Sequence, residues 1–545
     1  HSDMTAVEGL LSMAVLKDKC LPQTTHQRIE HIHESLLFYD EHTFGASESV
    51  SDPLCENSQV QWGEKSAYAW EAVKRTQMLY ETSVGLLQGD LRRGKNPTLT
   101  IFNTLNWKRS EMLTVYIDFE VIPRNQFFEI TDFQGHSLKV QPIRYRREGC
   151  YYAIFAEDIP PMGYKTFEIV FKQPSTDTGT ITINNASIEN HFYKLQLNPD
   201  KGTIQSLYDK ELNCELVDSS SPWELGAFIY EKLGNRDQLA QYRLDDYNRT
   251  GLSECRIIDS SNGPIYQRIL LQGKSPGTDE AFGVNLEIKL YHDTKRIELE
   301  YAIKRLPETD PSGIYVAFPF QLPEGKLAFD VQGGTVISGK NQLEGTSTDW
   351  NTVQNFVSVQ NNQAQIIIGS SLIPLYQLGD INLGKFQYQK QYERPHVYSW
   401  VMNNYWNTNF KASQEGEFRW SYHLTSSVDP SSNLATKFGW SSRIPLYARV
   451  MPTGTENHKP TEYSAFHFEK DNFLMTSCTP SKEEGYILLN IREIDGKRTN
   501  LRILNEDGQT IPFTIVNAIE EKLENETSEH IFEGYQNKFI KIKRF

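Results

Sequence analysis

Val284-Asn285-Leu286-Glu287-Ile288-Lys289-Leu290-Tyr291, then the polar His292-Asp293-Thr294-Lys295-Arg296, then Ile297-Glu298-Leu299-Glu300-Tyr301-Ala302-Ile303 set an apolar residue at alternate positions on both sides of a short turn. A period of two places Val284, Leu286, Ile288 and Leu290 on one face, and Ile297, Leu299, Tyr301 and Ile303 on one face. The polar break between the runs predicts an antiparallel hairpin with one buried side. The same period returns upstream in Leu113, Val115, Ile117, Phe119 and Val121, and in Phe167, Ile169 and Phe171. It returns downstream in Ile487, Leu489 and Ile491, ahead of an Asp495-Gly496 turn. Between 180 and 425 no comparable helical stripe interrupts the strands. Strands without crossover helices predict antiparallel sandwiches, not a parallel sheet.

The first ninety or so residues read differently. Residues 2–18 and 24–39 carry apolar positions at helical spacing, among them Ile29, Ile32 and Leu36. A Gly/Ser-rich loop from Gly45 to Pro53 leads into a long helix over 58–90, with Trp62, Ala69, Val73, Thr76, Tyr80, Val84 and Leu87 along one stripe. Three helices with short connections predict a small antiparallel bundle. Punctuation falls at Arg92-Arg93-Gly94-Lys95-Asn96-Pro97, at Pro174-Ser175-Thr176-Asp177-Thr178-Gly179 and at the polar run 426–433. The expected class is therefore mainly β with an N-terminal α part.

At roughly 150 residues per domain, 545 residues predict three or four domains. The 38% hydrophobic and 23% charged composition excludes a disordered chain, and no apolar run reaches the roughly 18 residues that span a bilayer. A net charge of −15 repels phosphate backbones and speaks against nucleic acid as a partner. The six cysteines form no CxxC and no close pair, so buried thiols are expected and the compartment stays open. There is no signal peptide, and residue 1 is His, so the chain is expected to begin after a preceding segment.

Three motifs look like chemistry in the wrong setting. Gly273-Lys274-Ser275-Pro276-Gly277 has the GxSxG spelling, but no helix follows, and Pro276 lacks the N–H that would complete an oxyanion hole. Gly334 to Asn341 resembles a phosphate loop without the hydroxyl that would meet magnesium. Glu30 and His33, with His26 a turn earlier, have ligand spacing, but no second helix repeats the unit, so a solvated face is expected.

One segment gathers more chemistry. Leu36-Leu37-Phe38-Tyr39-Asp40-Glu41-His42-Thr43-Phe44-Gly45-Ala46 sets two carboxylates, an imidazole and a hydroxyl around a chain turn. A His there serves either as a zinc ligand backed by a carboxylate or as a capping residue in a surface loop.

Tyr39 to Gly45 resembles the helical-domain motif of glycoside hydrolase family 38, the zinc-dependent α-mannosidases. Ile101 to Arg109 resembles the opening of that family's small β domain. Ile188 to Tyr193 with Gly202 to Lys210 resembles the start of its large sandwich. Ile314 to Phe320 and Asn403 to Asn409 resemble two further signatures. The resemblance implies a three-helix bundle over 1–92, a small β domain over 93–173, a large antiparallel, galactose-mutarotase-like β-supersandwich over 174–428 and a C-terminal β-sandwich over 429–545. It matches His42 to the one zinc ligand that the helical domain supplies. The other ligands, the nucleophile and the acid belong to an N-terminal α/β barrel that has no match here, and His1-Ser2-Asp3 lacks the context of the family's His-x-Asp pair.

A retaining glycosidase needs two carboxyl groups ~5–5.5 Å apart. No catalytic residue is therefore expected in this chain, and zinc is expected only in the complete enzyme. The expected partners are mannose-containing glycans and the missing barrel, on the same or a separate polypeptide. Sugar contacts are expected from Thr43, Asn404, Tyr405, Trp406, Asn407 and Asp349, although adjacent strand residues such as Tyr405 and Trp406 point opposite ways. The alternative is a stand-alone carbohydrate-binding or scaffolding protein. A bare apolar patch near residues 36–60 would favour the incomplete enzyme.

Overall fold

The computed structural model describes residues 1–45, 48–173, 186–406 and 411–545. It is mainly β, with antiparallel pairing throughout its sheets and helices at the N-terminus. The chain divides into two compact units, each assembled from separated segments: 1–40, 66–179 and 444–545 in one, 41–65 and 180–443 in the other.

In the first unit the helix Ser2–Leu16 is buried on nearly every side. The helix Thr25–Asp40 buries only Thr25, Ile29, Ile32 and Leu36. Met4, Val7 and Leu11 meet Ile29, Ile32 and Leu36, together with Ala72 and Leu79 of the long helix Glu56–Leu87, in one small core. The strand Thr98–Asn103 pairs on one side with Gly163–Lys172 and on the other with Tyr447–Met451, far downstream. The Asn106 side chain fastens the following loop to a C-terminal strand, donating to the Phe473 carbonyl at 2.8 Å and accepting from the Met475 amide at 2.9 Å.

The second unit holds a nine-stranded and a six-stranded sheet. The hairpin read from sequence is its centre. Val284–Tyr291 pairs with Ile297–Arg305 in the register Val284↔Ile303, Leu286↔Tyr301, Ile288↔Leu299 and Leu290↔Ile297. All eight side chains enter the main core. The opposite face of the same strands carries a charged row: Lys289, Glu298 and His423 lie opposite one another across three strands. The six-stranded sheet has a second core on one face, where Ile229, Tyr315, Ala317 and Trp400 are covered by Leu239, Ile381, Leu383 and Tyr405.

The helix Ser432–Arg443 falls where the sequence suggested only a polar linker. Ser431 Oγ accepts the Leu434 amide at 3.2 Å, and Ala435 packs on Phe356 and Ile367. Among the described residues no helix is long and apolar enough to cross a membrane.

Candidate functional site

His42 follows the helix Thr25–Asp40 in a bend, and its side chain is 88% exposed. Its Nδ1 lies 2.8 Å from Glu41 Oε1. Glu41 is held in turn. The Thr43 amide donates to Oε2 at 3.0 Å, the Thr43 hydroxyl to Oε1 at 2.9 Å, and Lys65 Nζ to Oε2 at 3.2 Å and to the Glu41 carbonyl at 2.7 Å. The Thr43 hydroxyl, then Lys65 and the Thr43 amide, hold the Glu41 carboxyl below its ordinary range. It stays ionised at neutral pH and fixes one imidazole nitrogen, which leaves Nε2 facing outward. An outer carboxylate of this kind orients a histidine toward a metal.

Zinc normally takes four donors. Among the described residues no group of three or more His, Cys, Asp or Glu side chains could hold a metal ion. His42 with Glu41 behind it fits one corner of a shared site and makes no complete one among the described residues.

The other sequence candidates separate. Thr43 is committed to Glu41. The Asn404 amide donates to the carbonyls of Glu308 and Ala412 at 3.0 and 3.1 Å, and its Oδ1 accepts the Ser312 amide at 2.7 Å, which makes it a backbone brace. Tyr405 is fully buried, its hydroxyl donating to Glu231 Oε1 at 2.5 Å. Asn407 lies outside the described residues. Trp406 turns the other way from Tyr405 and, with Asp349 and Trp350, lines a cleft of about 480 Å³. Phe386 and Tyr242 complete its rim, and nothing in the sequence pattern linked them to Asp349. The GxSxG serine, Ser275, is buried in a turn with Thr278 donating to its carbonyl, and no helix follows it.

Helices precede the antiparallel sheets along the chain, and His42, backed by Glu41, is presented outward with no complete metal site among the described residues. Residues 188–386 match the model of the glycosyl hydrolases family 38 C-terminal domain. The fold matches an alpha-mannosidase from Enterococcus faecalis V583 with a TM-score of 0.75 and 13% identity, over 99% of this chain and 66% of that one. It also matches a protein in the glycosyl hydrolase family 38 from Enterococcus faecalis with a TM-score of 0.74 and 13% identity, over 99% of this chain and 68% of that one. At such identities the likeness is one of fold, and about a third of each structure has no counterpart here. No curated protein matches the chain.

Proposed function

We propose that the chain is the helical and β-sheet portion of a family 38-like α-mannosidase, contributes His42 to a zinc site completed by a catalytic barrel, and hydrolyses no glycoside alone. The carrying observation is the exposed imidazole whose Nδ1 is occupied by Glu41, presented with no companion ligands among the described residues. In support, the first unit leaves Leu37 71% and Phe38 52% exposed on one helix, with Trp70 and Val73 exposed on another. Apolar surface of this kind fits burial against further polypeptide. The parent reaction would release terminal α-mannose with retention of configuration, using carboxyl groups supplied from outside this chain.

The test is turnover of an aryl α-mannoside, with and without zinc, by the chain alone and by a polypeptide that includes the barrel. Activity of the completed polypeptide that His42→Ala abolishes, beside an inactive isolated chain, is the expected result. Zinc-dependent turnover by the isolated chain would sink the reading, as would full activity of the completed His42→Ala variant.

A further inference from the structure

The cleft around Asp349 has the features of a built binding site. Its 480 Å³ lies within the roughly 300–1,000 Å³ of small-molecule sites. Trp350 and Trp406 form its floor with ring centroids 5.6 Å apart, and Tyr242 and Phe386 form an edge-to-face pair at 6.0 Å on the rim. Asp349 is only 5% exposed, yet its Oδ1 has no hydrogen-bond partner among the described residues. A buried carboxylate oxygen left without a donor is costly unless something else supplies one.

The walls are fixed in advance. The Thr348 hydroxyl both donates to the Gln387 carbonyl and accepts the Gln387 amide, each at 3.1 Å, and the Gly345 amide donates to the Tyr388 carbonyl at 2.9 Å. Gln377 Oε1 takes the amides of Asn382 and Leu383 at 2.6 and 3.2 Å, which sets the turn before Gly384. Gly384 itself has φ +77, and a Cβ there would press on Leu244.

We propose that this cleft binds a neutral pyranose sugar, independently of zinc and of His42: the ring packs in the angle between Trp350 and Trp406, whose planes are tilted by 54°, and a hydroxyl donates to Asp349 Oδ1. An aromatic cleft with a carboxylate also suits an organic cation. Here, however, Asp349 already interacts with Lys390, whose ammonium burial brings down to about 8 against the pull of Asp349, so it is still largely protonated at neutral pH. A second cation would meet like charge, whereas a polyol brings donors without charge. The inference stands apart from the His42 reading.

The experiment is a titration of the whole chain in EDTA with methyl α-mannopyranoside, methyl β-glucopyranoside and methyl α-galactopyranoside, read by tryptophan fluorescence and by calorimetry. At least one sugar is expected to bind, with equal affinity in His42→Ala and about tenfold more weakly in Asp349→Asn, where a charged acceptor becomes neutral. Phe386→Ala, a rim change that leaves the core intact, is expected to weaken the same sugar. Failure of all three sugars, binding unchanged in both cleft variants, or saturable binding of tetramethylammonium in their place would overturn the assignment.

Discussion

Nδ1 of His42 stands 2.8 Å from Oε1 of Glu41, and Glu41 is the side chain that Thr43 and Lys65 also hold. The imidazole is thus the exposed end of a chain of contacts that starts at Lys65, whose side chain is largely buried. Replacing His42 removes little packing, so His42→Ala should change stability by no more than ~0.5 kcal/mol. On the proposed role of His42 as a zinc ligand, Glu41→Gln should keep the fold and weaken zinc binding by the barrel-containing polypeptide about 10–100-fold, because it loosens the support of His42 without deleting it. Thermal melts of the chain and zinc titration of the completed enzyme check the two halves. A large loss of melting temperature in His42→Ala would make the residue a structural cap.

Gly45 ends the segment that presents His42. A methyl group there would meet Ser49 Oγ and come within 2.9 Å of Trp62 Nε1. Ser49 and Trp62 are both buried, so neither yields freely. Gly45→Ala should cost about 1–3 kcal/mol through overpacking. It should shift the emission of Trp62 and, on the proposed role of His42, lower the activity of the barrel-containing polypeptide, although His42 itself is untouched. Unchanged melting and emission would show that the loop re-routes without strain.

Glu231 is buried beneath the second core, with Arg249 Nε on one oxygen and the Tyr405 and Tyr315 hydroxyls on the other at 2.5 and 3.3 Å. Tyr405→Phe removes a hydrogen bond to a charged group and should cost about 1.5–3 kcal/mol. Arg249→Met leaves the carboxylate without its cation and should cost about 3–5 kcal/mol. Urea unfolding of the two variants tests the order as well as the size. If Tyr405→Phe proves neutral, Tyr405 is present for its ring alone.

The hairpin 284–303 was legible because one face of it is buried, and a period of two is the direct record of that burial. The same rule explains what was not legible. Periodicity tells a strand which side is inside but not which strand lies beside it, so the pairing of Thr98–Asn103 with Tyr447–Met451 left no local mark. The helix Ser432–Arg443 opens on serine and asparagine, residues that cap helices as readily as they form linkers. His42 came to notice through the resemblance of its neighbourhood, since an exposed imidazole has no packing signature. Asp349 and Trp350 are neighbours in sequence, while Phe386 and Tyr242 reach the same cleft from distant loops.

His423 makes the acid stability of the nine-stranded sheet testable. It is buried beside Glu298, and its Nδ1, 3.7 Å from the carboxylate, has no hydrogen-bond partner among the described residues. Burial, helped by the Arg296 charge, pushes the imidazole down to about 3 from an ordinary 6.5. Between those values the unfolded chain takes up a proton that the folded chain refuses. The neutral imidazole's contribution is therefore fully present above pH 6.5 and is lost as pH falls toward 3. Glu298 acts in a lower window. Burial alone would raise it, but Lys289, whose Nζ donates to it at 2.9 Å, overrides burial and holds it at about 2 from an ordinary 4.5. Its contribution is lost only as pH falls below 4.5. His423→Leu should therefore flatten the decline in urea midpoint between pH 7.5 and 5 while leaving the steeper loss below pH 4.5, where Glu298 and the other carboxylates are protonated. Parallel declines in the two proteins above pH 5 would show that His423 takes up its proton in the folded state.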